Sequence, residues 1–185
     1  MLKGIFLKIR RHFHPDPGSA GAGMGVTLFE QTGDVIRAEQ LLKEAGIPVA
    51  VKAPPSHMRK GCDLAIEYRL EQEPFLRGIF DANALHPLGF FPVTEDLPGP
   101  SSLFLYKDFG DYLMVRAANM KITIEKASGR IVNVSGGGCP DVPYLAHILT
   151  TQTLGEAEPP RKKGQSLCAY ALHLAFEEAK RLWNG

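Results

Sequence analysis

The chain has 185 residues, 44% of them hydrophobic and 22% charged, enough for one large or two small globular domains. Its 21 basic and 20 acidic side chains leave a net charge of +1, which excludes a chain-wide basic footprint for nucleic acid. No apolar run approaches the roughly 20 residues that span a bilayer, and three cysteines are too few for a disulfide framework. A reducing cytoplasm is the expectation.

The first 23 residues stand apart. Met1 to Phe13 carries Lys3, Lys8, Arg10 and Arg11 and no acid, with Leu2, Ile5, Phe6 and Ile9 at helical spacing. A Pro- and Gly-rich stretch follows. Three readings stay open: a membrane-surface or partner arm, a leader expected to be disordered, or a start-site artefact with Met24 as the true start. Without this arm the remaining chain carries a net charge of −2.

Residues 24–97 read as one unit. Strand patterns at Gly25–Glu30, Pro48–Ala53, Cys62–Arg69 and Leu88–Val93 alternate with helix patterns. The first helix begins at a cap, Thr32 or Asp34, and stops at Gly46. It places Val35, Ala38, Leu41, Leu42 and Ala45 on one face and Glu39 off it. The second, Gln72–Asn83, turns Phe75, Leu76, Ile79 and Phe80 inward. Pro92 places the last strand at a sheet edge, since proline lacks a donor. The order βαββαβ is the ferredoxin-like split βαβ arrangement.

Within this unit a strand ending in Phe29-Glu30 leads to the helix Asp34 to Gly46, then Ile47-Pro48-Val49, a Pro-rich loop and Gly61-Cys62. In these features residues 24–95 resemble the selenium/sulfur carrier-like family of small proteins. The resemblance implies that Cys62 carries the chalcogen. That family commonly has Gly after the Cys. Here Asp63 stands there, and its carboxylate would raise the thiol pKa. Arg59 and Lys60, just upstream, would favour a thiolate, and His57 could add a base. The alternative reading of Cys62 is a small buried apolar residue at a strand start.

Pro98-Gly99-Pro100 marks a linker, and residues 101–185 form a second unit. Strands are expected at Leu103–Tyr106, Tyr112–Ala117, Met120–Lys126 and Arg130–Val134, with a hairpin at Ala127-Ser128-Gly129. Helices follow at Tyr144–Thr150 and Ser166–Trp183. In the second of these, Cys168, Leu172, Ala175, Ala179 and Leu182 step along one core face. The fold class is therefore α+β: a ferredoxin-like domain followed by a small antiparallel sheet with two helices.

The most informative segment is Ser135 to Pro143, SGGGCPDVP. Gly136, Gly137 and Gly138 allow positive φ and close backbone approach. Pro140 suits a first helical position. This expectation puts Cys139 at the N-cap or N1 of a helix, whose amides and dipole would favour the thiolate. The same amides, with Asp141, Arg116 and Asn119, could hold an anion. Asn119 reads as a bulge. Cys168 reads as a core residue, or as a resolving thiol for Cys139 if the two helix starts pack together. The segment from Cys139 to Pro143 is also similar to the Cys-Pro-x-Pro motif of small sulfur-relay proteins, with one extra residue between the prolines.

No Cys-x-x-Cys, phosphate-binding lysine loop or Gly-x-Ser-x-Gly occurs, so no metal or cofactor is expected. The leading expectation is a thiol protein that takes sulfur or selenium as a persulfide from a donor protein and passes it to an acceptor, using Cys139 and Cys62. The alternatives are a non-catalytic module holding an anionic metabolite at the glycine loop, and a scaffold that binds a partner through a sheet edge.

Overall fold

The computed structural model describes residues 23–58, 64–94 and 99–185. The leader, Arg59, Lys60 and Cys62 lie outside the described residues.

The first sheet is built from β1 (Met24–Leu28), β2 (Ala50–Lys52), β3 (Ala65–Arg69) and β4 (Gly89–Pro92) in the order β2-β3-β1-β4. β1 runs antiparallel to both β3 and β4, with Thr27 opposite Ile66 on one side and Phe90 on the other. Helices α1 (Thr32–Glu44) and α2 (Glu73–Ala82) connect the strands. This is the expected split βαβ topology, and Pro92 sits on an edge strand as its missing donor requires.

Alternation decides what each face buries. Ile66 and Tyr68 meet Val35, Ala38 and Leu42 of α1 and Leu76 and Phe80 of α2. Val26, Leu28 and Ala65 face the opposite side, under Met58, Phe91 and Val93. Each fully buried aliphatic or aromatic side chain contributes about 1.5–3 kcal/mol. Two local expectations are corrected. The N-cap of α1 is Gln31, with no side-chain cap bond, and Thr32 is already helical. Phe75 is 67% exposed, because the inward stripe of α2 runs through Leu76 and Phe80. Gly46, at φ +73°, ends α1 as expected, with the Ile47 amide reaching back to the Leu42 carbonyl.

The second sheet is an antiparallel meander, β5 (Phe104–Asp108), β6 (Tyr112–Ala117), β7 (Met120–Glu125) and β8 (Ile131–Gly136). Asn119 is not a bulge. It forms with Ala118 the two-residue corner joining β6 to β7, and the register break lies at Thr123/Ile124. Helices α3 (Val142–Leu149) and α4 (Leu167–Trp183) cover the inner face. Cys168, Leu172, Ala175, Phe176 and Ala179 of α4 pack on Ile122, Ile124 and Val115. Leu182, the last residue of the expected stripe, is half-buried.

α4 is apolar on more than one face, so it serves both sheets. Tyr170 joins the core of the first sheet, while Ala118 and Leu174 touch both cores. The Tyr170 hydroxyl donates to Glu39 of α1 at 2.6 Å, in a buried position.

Candidate functional site

The glycine segment leaves β8 at the point where the sheet meets the start of α4. Gly136 has φ +98°, and a Cβ there would fall on the Asn119 carbonyl oxygen. Gly137 has φ +68°, and a Cβ there would lie 2.7 Å from both Cys168 Sγ and Met120 Sδ. Both positions therefore need glycine for conformation and for space. Gly138 differs: it is exposed, and nothing lies within 4 Å of its missing Cβ. The three successive glycines are thus not equivalent. Two let the backbone press against the β6–β7 corner and two sulfurs, and the third stands in open space.

Cys139 is half-exposed and packs against the core that holds Cys168. It is not the N-cap or N1 of α3. That N-cap is Asp141, and Cys139 lies in the turn before it, its carbonyl accepting the Val142 amide at 3.1 Å. The helix start beside its sulfur is that of α4. There the Cys168 thiol, then the Cys168 amide, hold the Cys139 thiol below its ordinary pKa, against opposing effects of burial and the Asp141 charge. Hydrogen-bond donors and a helix N-terminus both favour a thiolate.

Asp141 ties the two helix starts together. Its Oδ2 accepts the Gln165 and Ser166 amides, each at 3.1 Å, and its Oδ1 accepts the Ser166 hydroxyl at 2.5 Å. These donors hold its carboxyl below the usual range, the Ser166 hydroxyl foremost, while burial opposes them. Ser166 is the N-cap of α4, its Oγ accepting the Ala169 amide at 3.1 Å. Its one proton is directed at Asp141, which leaves Cys168 as the larger influence on Cys139. Gly164 completes the junction: a Cβ there would meet Ala169, Leu145 and Asp141 within 3 Å.

Among the anion residues expected from sequence, Asp141 is engaged as a clamp. The Arg116 Nε donates to the Ala118 carbonyl at 2.5 Å, and in register Arg116 faces Lys121 directly. Asn119 is exposed at the β6–β7 corner. His57 is exposed in a short 3₁₀ turn, Ser56–Met58. Sequence reading missed the roles of Ser166 and Gly164. A serine immediately before an apolar helical stripe was the available sign for Ser166, and Gly164 carried none.

Among the described residues no group of three or more His, Cys, Asp or Glu side chains could hold a metal ion, and no helix is long and apolar enough to cross a membrane. No solved structure matches the chain. Residues 24–92 match the family model described as Putative Se/S carrier protein-like, and residues 103–185 match a domain of unknown function, DUF8182. The chain is 42% identical over 165 residues to Uncharacterized protein MJ0011 of Methanocaldococcus jannaschii, covering 88% of this chain and 83% of that one. The chain therefore belongs to the family of that archaeal protein, with a Se/S carrier-like segment followed by a DUF8182 segment.

Proposed function

We propose that the protein is a thiol-based carrier of sulfur or selenium, and that Cys139 is the residue that takes the chalcogen. The observation that carries this reading is the placement of a half-exposed sulfur against the first turn of α4, where the Cys168 thiol and amide favour its anion. The match of residues 24–92 to the Se/S carrier-like model supports the same chemistry. In the reaction, the Cys139 thiolate attacks the terminal sulfur of a donor persulfide. The donor S–S bond breaks, the donor leaves as a thiolate, and Cys139 holds the persulfide. An acceptor nucleophile then takes the terminal atom and returns Cys139 as a thiolate. Selenium follows the same route with one atom exchanged.

On this reading donor and acceptor are proteins that present their thiols to the open side of the glycine loop. Residues 24–97 and 101–185 act as a carrier-like unit bearing Cys62 and a second unit bearing Cys139. Thiols of this kind work in a reducing compartment such as the cytoplasm. The test is the intact mass of the full chain after exposure to a small-molecule persulfide. It is made in a Cys62→Ser, Cys168→Ser background, so that Cys139 is the one thiol left and no other thiol takes or displaces the adduct. A gain of about 32 Da, one sulfur, is expected on Cys139 and is absent in the additional Cys139→Ser variant. An unmodified Cys139 overturns the reading.

A second reading rests on a different observation. Arg116 and Lys121 are directly opposed across β6 and β7 and form no ion pair with another described residue. Like charges in direct register disfavour the sheet unless an anion lies between them. A non-covalent anion module would bind sulfate or phosphate through these cations, lose that binding in Arg116→Ala, and keep it in Cys139→Ser.

A further inference from the structure

Two cysteines of unequal access pack together at the start of α4. Cys139 is half-exposed, whereas Cys168 is 4% exposed, its Sγ lying under the Gly137 backbone. Gly137, two residues before Cys139, lets the chain lie against the Cys168 sulfur, since a Cβ there would fall 2.7 Å from it. The Asp141 carboxylate, bonded to the Gln165 and Ser166 amides and the Ser166 hydroxyl, keeps the Cys139 turn and the Cys168 turn together. An outer thiol that meets partners, backed by an inner thiol that only the outer one reaches, is the arrangement in which thiol–disulfide exchange runs within one chain.

We infer that Cys168 discharges the Cys139 persulfide within the chain, so that the protein releases its cargo as hydrogen sulfide, or hydrogen selenide, and is left with a Cys139–Cys168 disulfide. This rests on the carrier reading and names the form in which the chalcogen leaves. In the step, the Cys168 sulfur attacks the Cys139 Sγ. A bond forms between the two cysteine sulfurs, and the bond from Cys139 to the terminal sulfur breaks. The terminal sulfur takes the electron pair of the broken bond and the Cys168 thiol proton, and leaves as hydrogen sulfide. The carried sulfur is reduced to sulfide, and the two cysteines together are oxidised to the disulfide. No other reactant is consumed. A further round needs a dithiol reductant, which meets the disulfide at its exposed Cys139 side.

The two functions of the site then compete. A nearby acceptor takes the terminal sulfur and leaves Cys139 reduced. Without one, Cys168 releases sulfide and locks the thiol in the oxidised form.

The experiment uses the full chain carrying Cys62→Ser, so that Cys139 and Cys168 are its only thiols. The reduced protein is treated briefly with sodium polysulfide and desalted. Sulfide release and intact mass without reductant are then followed together. The expected course is a transient gain of about 32 Da, then a species about 2 Da lighter than the reduced chain, with about one sulfide released per chain. Cys168→Ser and Cys168→Ala, each checked for folding by circular dichroism, should hold the heavier adduct and release no sulfide. If the parent and both Cys168 variants keep the adduct equally, the discharge step is overturned while the persulfide reading stands. If no adduct forms even in the Cys168 variants, the persulfide reading itself fails.

Discussion

Tyr170 of α4 donates its hydroxyl to Glu39 of α1 at 2.6 Å, joining an element packed on the second sheet to a helix of the first. Glu39 is 7% exposed and also accepts from Lys43 at 2.6 Å. Burial first, then the Glu39 charge, pushes the Tyr170 hydroxyl well above its usual pKa, so it stays a donor at every physiological pH. The helix that presents Cys168 at its first turn is thus anchored close by to the carrier-like part of the chain.

Tyr170→Phe removes that donor and leaves one oxygen of a buried carboxylate unsatisfied. A loss of about 1–2 kcal/mol is expected. Urea unfolding followed by circular dichroism measures it. A change below about 0.3 kcal/mol would mean that the contact adds nothing to the native state.

The glycine loop makes a graded prediction. Gly136→Ala combines positive φ with a clash against the Asn119 carbonyl, and Gly137→Ala combines it with a clash against two sulfurs. Each should cost about 3 kcal/mol. Gly138→Ala, with open space around it, should stay within about 0.5 kcal/mol of the parent. Denaturation midpoints of the three variants check the ranking, and equal values would contradict the packing described.

Ser166→Ala removes the N-cap of the helix beside Cys139. The expected loss is about 1 kcal/mol, measured by thermal or urea unfolding. Asp141 adds a pH signature. Its folded pKa is depressed, so its contribution is present above its unfolded value near 4 and is lost as pH falls through the folded value. The stability gap between the parent and Asp141→Asn should therefore close as the pH is lowered below about 4.

His173 on α4 supplies a second pH dependence. Burial lowers its pKa, helped by Lys43 and Arg161, while Glu177 and Glu39 oppose the shift, and its Nδ1 has no hydrogen-bond partner. The neutral ring is thus the folded form. Stability from this residue is complete above about pH 6.5 and declines as pH falls through the depressed folded value. The slope of melting temperature against pH between about 7 and 5 should be steeper in the parent than in His173→Leu.

The sequence announces whatever is written locally. Alternation in CDLAIEYR puts Ile66 and Tyr68 on one face, the spacing from Cys168 to Ala179 marks the buried stripe of α4, and Gly46 marks the end of α1. Its silence concerns contacts between distant segments. Glu39 reads as a surface residue because its partner, Tyr170, is 131 positions away. Asn119 interrupts an apolar run because it turns a corner against Gly136, a neighbour known only once β7 and β8 pair. The glycine run marks a crowded backbone at Gly136 and Gly137, but the helix that crowds Gly137 begins at Leu167 and not at Val142. No periodicity reports which of two helix starts will dock on a given sulfur.

The central claim is that Cys139 is the thiol poised as an anion. Site-resolved alkylation by iodoacetamide across about pH 5–10, read by peptide mass for Cys139, tests it most directly. The expected midpoint for Cys139 lies below the ordinary thiol value near 8.5 and moves upward in Cys168→Ala. A midpoint at or above about 8.5, unmoved by removing the Cys168 thiol, would contradict it.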